Sequence, residues 1–177
     1  MNSEALIAVR REKDRFFKAD LRSPLSVEQQ DAFTALNYYE PNPDLDLIVT
    51  VESLPPGDNE IVIETTTGDK RRYSRYGRFR FTVEGQEVEL TIYDAPHGYF
   101  LPFVDVNAGV ETYAAGRYLE PDEMDDGQFH VDFNMAYNPY CAYGDGWSCP
   151  ITPAENRLTV AIRAGEKNPE EGWAAHE

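Results

Sequence analysis

Between Arg78 and Ile92 the side chains alternate so regularly that only one local geometry fits. Phe79, Phe81 and Val83 alternate with Arg78, Arg80 and Thr82; past Gly85, Val88, Leu90 and Ile92 alternate with Glu87, Glu89 and Thr91. A period of two places successive residues on opposite faces of a strand. Glu84-Gly85-Gln86 supplies a tight turn between the two runs. The segment is predicted to be an antiparallel hairpin with its apolar residues on one face and arginines opposite glutamates on the other. A lone hairpin is marginal in water, so other elements must cover the apolar face. Lys70, Arg71, Arg72, Arg75, Arg78 and Arg80 hold six of the chain's 16 cations. Pairing with Glu87 and Glu89 accounts for the hairpin arginines without a ligand, and it leaves Arg71, Arg72 and Arg75 available for an anion-binding strip.

Upstream the period is helical. Leu6, Val9, Phe16 and Phe17 fall near a 3.6-residue repeat, with Ser3 or Asn2 as the cap and Ser23-Pro24 as the stop. Ser26-Val27-Glu28-Gln29 has the spacing of a capping box, with Phe33 and Leu36 on the buried side of a short second helix. Leu45, Leu47, Val49 and Val51, then Ile61 and Ile63, return to a period of two. Further strands are predicted at 99–103, 110–113, 129–133 and 158–162, separated by Gly, Pro and Asp. Two helices followed by consecutive short strands point to α+β: two N-terminal helices, then a strongly curved antiparallel β-sheet or barrel. One domain is expected over 1–165, helical in 3–36 and β-rich in 45–165, with 166–177 as a flexible acidic tail.

Composition narrows the function. The net charge is −16, so phosphate backbones and anionic membranes are repelled and neither is an expected partner. No apolar run is long enough for a membrane span, and the N-terminal residues have neither the basic nor the apolar region of a signal peptide. A cytoplasmic location is expected. The acids are dispersed along the chain, as in a protein adapted to a high-salt cytoplasm or in an ordinary acidic one.

The chemistry-bearing residues concentrate between Asp105 and Asn156. Asp105-Val106-Asn107-Ala108-Gly109-Val110-Glu111 gathers oxygens around a glycine, but it lacks the twelfth-position acid of a calcium loop and reads as a turn. His130, Asp132 and Asn134 share one strand face. Glu111, Asp132 and His130 are therefore the candidates for acid–base catalysis, although no serine or cysteine completes a triad by spacing. Cys141 and Cys149 flank seven residues, a spacing open to reduced thiols, a disulfide or redox work. The ligand set of a structural zinc site is missing, and neither metal nor cofactor is expected. Tyr113, Tyr118, Tyr137, Tyr140, Tyr143 and Trp147 accompany prolines and asparagines, as in a small-molecule pocket or a polar-tipped core.

These stretches also resemble a known family. Gly109-Val110-Glu111-Thr112-Tyr113-Ala114-Ala115-Gly116-Arg117-Tyr118-Leu119 resembles its G-x-ETY-x-x-GRYL motif, and the run from Asp132 to Tyr143 resembles its DFN-x-AYNP-x-CAY motif. Trp147-Ser148-Cys149-Pro150, Glu155-Asn156-Arg157-Leu158 and Ala164-Gly165-Glu166 extend the likeness to DUF1684, an uncharacterised bacterial and archaeal family. Tyr140 and Thr159 stand where that family more often has proline. Some of its members look like exported lipoproteins, and no lipobox is found here. The resemblance implies residues to watch and no reaction. The leading expectation is small-molecule binding by a polar-aromatic pocket using Tyr113, Arg117, Tyr118, Asn134, Tyr137, Asn138 and Tyr143. A hydrolase using Glu111, Asp132 and His130, or an interaction module, is the alternative.

Overall fold

A computed structural model describes residues 1–57 and 59–170. Helix α1 (Ser3–Ala19) is capped by Asn2, whose side chain accepts the Ala5 N–H, and it buries Leu6 and Phe17 while Val9 faces outward. Helix α2 (Val27–Ala32) starts on the expected capping box: Ser26 Oγ accepts the Gln29 N–H and Gln29 Oε1 accepts the Ser26 N–H. Lys18 Nζ donates to the carbonyls of Gln30, Asp31 and Phe33, so a cation from α1 satisfies the end of α2.

Among the described residues all the strand pairs are antiparallel. β1 (Asp46–Thr50), β9 (Gln128–Asp132) and β8 (Asp122–Glu123) make a small sheet in the order β1-β9-β8. In the larger sheet, β2 (Glu52–Ser53) and β3 (Glu60–Glu64) both pair with β4 (Lys70–Val83). It continues through β5 (Gln86–Ala95) and β6 (Gly98–Phe103) to β7 (Arg117–Leu119). The β4–β5 hairpin has the predicted register, Phe79 opposite Leu90 and Arg80 opposite Glu89, with positive φ at both Glu84 and Gly85 as a twisted two-residue turn requires. β4 bulges between Arg75 and Gly77, where β2 crosses it; a Cβ on Gly77 would lie 2.5 Å from Val51 Cγ1.

One apolar core serves both sheets. Phe79, Phe81, Leu90, Ile92 and Leu101 of the large sheet meet Phe129 and Val131 of the small one. Phe133 stacks on Phe81 and presents an edge to Phe103 with centroids 5.3 Å apart in each case. The helices cover something else: Phe17, Leu25, Phe33 and Leu36 pack on Ala142 and Tyr143, forming a second core under the 140–143 segment. Among the described residues no helix is long and apolar enough to cross a membrane.

Several expectations need correction. The sheets do not close into a barrel, because the chain changes sheets at Val51. Its N–H still bonds Gly127 O while Glu52 already pairs with Arg78, so the two ladders stay separate. Residues 110–113 form a turn, not a strand: Val110 is 79% exposed, and the N–H groups of Val110, Glu111 and Thr112 all donate to Asn107 O. Residues 158–162 form no strand either. Val160, Ala161 and Ile162 are buried in succession, a pattern no half-exposed strand allows, and Asp105 Oδ2 takes the Ile162 N–H. Where a tail was expected to begin, Glu166 is fully buried and bridges to Tyr38, while Lys167 N–H donates to Asn37 O. The rest of the expected tail, 171–177, lies outside the described residues.

Candidate functional site

Cys141 and Cys149 form a disulfide, resolving the three options the spacing left open. The bond closes a loop that carries Trp147, and the β3–β4 turn holds that loop from outside. Thr66 Oγ1 donates to Trp147 O and accepts the Cys149 N–H, and Arg71 Nη2 donates to Ser148 O. Trp147 is thereby presented at the surface, 37% exposed, with its ring 5.1 Å from that of Tyr140. On the other side, the backbones of Tyr118 and Tyr137 exchange both hydrogen bonds and their rings meet edge to face.

Between these rings runs an open groove of about 520 Å³, lined by Tyr118, Tyr137, Pro139, Tyr140, Trp147 and Pro150 with Lys13, Ser148 and Cys149. Its one charged lining residue is Lys13, whose Nζ lies 5.1 Å above the Tyr137 ring and 2.8 Å from Glu166 Oε2. Burial pushes the Glu166 carboxyl above its ordinary range, while Lys13 and the Asn138 N–H pull it back. Burial also raises the phenol of Tyr137, helped by Glu120, which accepts its hydroxyl proton at 2.9 Å. Tyr118, Tyr137 and Pro150 also border a second depression, which reaches Tyr73, Phe100 and Tyr99, so the aromatic surface continues past the first groove.

The predicted ligand residues divide. Tyr118 and Tyr137 line the groove. Arg117 does not: it is 1% exposed and donates to the carbonyls of Ile162, Ala164 and Glu166 beside Asp105. Asn134 is a buried strut that bonds the backbone of Asn42 in both directions. Asn138 donates to Lys167 O and to the Tyr143 hydroxyl. Tyr143 itself is fully buried with its ring edge-on to Phe17, and Tyr113 packs against the same helical core.

The acid–base candidates also separate. Glu111 accepts hydrogen bonds from Tyr39 and Asn107, and together with burial it raises the Tyr39 phenol to about 12. His130 and Asp132 bring ligand atoms within 4.8 Å of each other, and the third member of that cluster is Asp46. The β1–β9 register sets Asp46 opposite Asp132, and His130 Nε2 lies 2.6 Å from Asp46 Oδ1. Asp132 Oδ1 accepts from the N–H and the side-chain amide of Asn134. No sequence spacing links Asp46 to His130; only the pairing of β1 with β9 does. Of the three arginines left for an anion strip, Arg75 pairs with Glu155 and Arg71 bonds the loop, while Arg72 is exposed on β4; Arg80 pairs with Glu89 as the hairpin register predicts.

A family model described as a protein of unknown function (DUF1684) matches residues 31–167. No curated protein matches the sequence. The chain is similar to the solution NMR structure of an uncharacterized protein from Haloarcula marismortui, at 36% identity and a TM-score of 0.69, with 96% of this chain and 95% of that one covered.

Proposed function

The chain belongs to DUF1684, a family of proteins of unknown function, and from that premise we propose that it binds a small, flat, ring-bearing molecule in the groove between Trp147 and Tyr137. The observation that carries this reading is a surface tryptophan fixed by a disulfide and a docked turn, facing further rings across a cleft of molecular size. Rings held rigid before binding contribute apolar contact with little ordering cost. Lys13 brings no net charge, because Glu166 is its partner, so the cleft suits a neutral or weakly polar face such as an aromatic or sugar ring. A hydrolytic role for Glu111, Asp132 and His130 has less support, since Glu111 engages Tyr39 and Asn107 instead.

The test is a thermal-shift screen of monocyclic aromatic compounds and pyranosides, followed by fluorescence titration in a Trp173→Phe background. There Trp147 is the remaining tryptophan of the two in the chain. A ligand at a hundred times its Kd stabilises by about 2.7 kcal/mol, a rise of roughly 5–11 °C for a chain of this size. Quenching of Trp147, and loss of the shift in Trp147→Ala, is the expected result. Hits that survive Trp147→Ala and Tyr140→Ala would place binding elsewhere and end the proposal.

A further inference from the structure

We propose that Asp46, His130 and Asp132 form a binding site for a divalent transition-metal ion, with zinc as the reference ion. The site is built by strand pairing. Asp46 on β1 stands opposite Asp132 on β9, and His130, two residues back along β9, shares the face of Asp132. One ligand atom from each lies within 4.8 Å of the others. Tetrahedral ligands at about 2.0–2.2 Å from zinc sit somewhat closer together than this, so closing the triangle asks for shifts of roughly an ångström.

Each donor is already oriented. The amide and N–H of Asn134 hold Asp132 Oδ1, the kind of supporting bond that aims a carboxylate at a metal. The Met1 ammonium, 3.1 Å from Asp46 Oδ2, engages that oxygen, and Oδ1 is the atom turned to the imidazole. His130 Nε2 and Asp46 Oδ1 are hydrogen-bonded at 2.6 Å. An ion bound there displaces that hydrogen bond, and the neutral imidazole ligates through Nε2 with its hydrogen on Nδ1. A depression of about 410 Å³ opens on the three residues, bordered by Asp122, Glu120, Leu6 and Tyr137, and it leaves the remaining coordination positions to water or to Asp122. Asp122 pairs with His130 across β8 and β9. One imidazole nitrogen with two carboxylates favours zinc, cobalt or nickel over magnesium and calcium, which prefer all-oxygen sets.

Calorimetric titration of the chelator-treated full chain with zinc chloride, and separately with magnesium chloride, tests this. The expected result is one saturable zinc equivalent, weakened about tenfold or more by His130→Gln and by Asp132→Asn, and unchanged by Glu87→Gln on the exposed face of β5. Without metal the His130→Gln variant should keep the parent's melting temperature within a degree or two, because the side chain is 42% exposed. Bound Co2+ should shift the His130 ring resonances in NMR spectra. No saturable zinc binding, zinc binding that His130→Gln leaves intact, or magnesium binding of equal strength would each overturn the assignment.

Discussion

Replacing Asn156 with alanine should cost about 4 kcal/mol, although the residue touches no proposed ligand. Extending the β5–β6 register from Tyr93 opposite Phe100 sets Thr91 opposite Pro102, which has no N–H to continue the ladder. The Asn156 side chain, fully buried in the turn Ala154–Asn156, fills that gap. Its Oδ1 accepts the Thr91 N–H at 2.9 Å, and its Nδ2 donates to Thr91 O and Pro102 O at 2.8 Å each. Alanine strands three backbone groups, each worth about 1–3 kcal/mol when buried without a partner; partial relaxation brings the sum toward the low end. For a chain of this length that is a fall in Tm of roughly 8–16 °C. Urea denaturation followed by circular dichroism measures it. Asn156→Asp separates hydrogen bonding from volume: the shape is kept, but a carboxylate then faces two carbonyl oxygens. At neutral pH it should be at least as damaging as alanine. An aspartate variant within about 1 kcal/mol of the parent would refute the argument, since packing alone would then explain the site.

The disulfide spans a sequence separation of eight, for which chain entropy gives about 2.5 kcal/mol of stabilisation. Cys141→Ser with Cys149→Ser should lower stability by that amount and weaken ring binding in the groove; unchanged urea midpoints would show that the loop is ordered without it. Lys13→Met should produce a deficit that grows with pH. The folded-state carboxyl of Glu166 is raised above its ordinary 4.5 by burial, so its contribution to stability is full below that value and is lost as pH rises through the folded-state one. Lys13 is the partner of the ionised form, so its removal should matter little in acid and most near neutrality. Denaturation midpoints across that range check it; a deficit independent of pH would contradict the coupling.

Local patterning made the hairpin, the capping box and β1, β3, β6 and β9 readable, because each is set by neighbours in sequence. Residues 158–162 defeated the same logic. Val160, Ala161 and Ile162 are buried in succession while their backbone bonds go to single groups of Val106 and Asp105, so hydrophobicity carried no information about pairing. The short β7 and β8 exist only because longer strands present edges to them. In the candidate site, Tyr118 and Tyr137 were legible as amphipathic rings. Arg117, Asn134 and Asn138 were read as ligand contacts because they are polar, yet they are buried and bonded to backbone. Sequence shows that a group is polar without showing which way it faces. Asp46 was missed altogether, and its only signal was a plausible partner strand more than eighty residues away.

That distance has a bearing on the order in which the molecule comes together. The β4–β5 hairpin closes through two residues, while Asp46 and His130 are 84 positions apart. Closing the longer span costs more entropy and must wait until β9 exists to pair with. On a ribosome the hairpin can form as soon as it emerges, whereas the Asp46–His130–Asp132 cluster cannot assemble until β9 has been made. A nascent chain would therefore acquire any affinity for metal only after β9 has emerged and paired with β1.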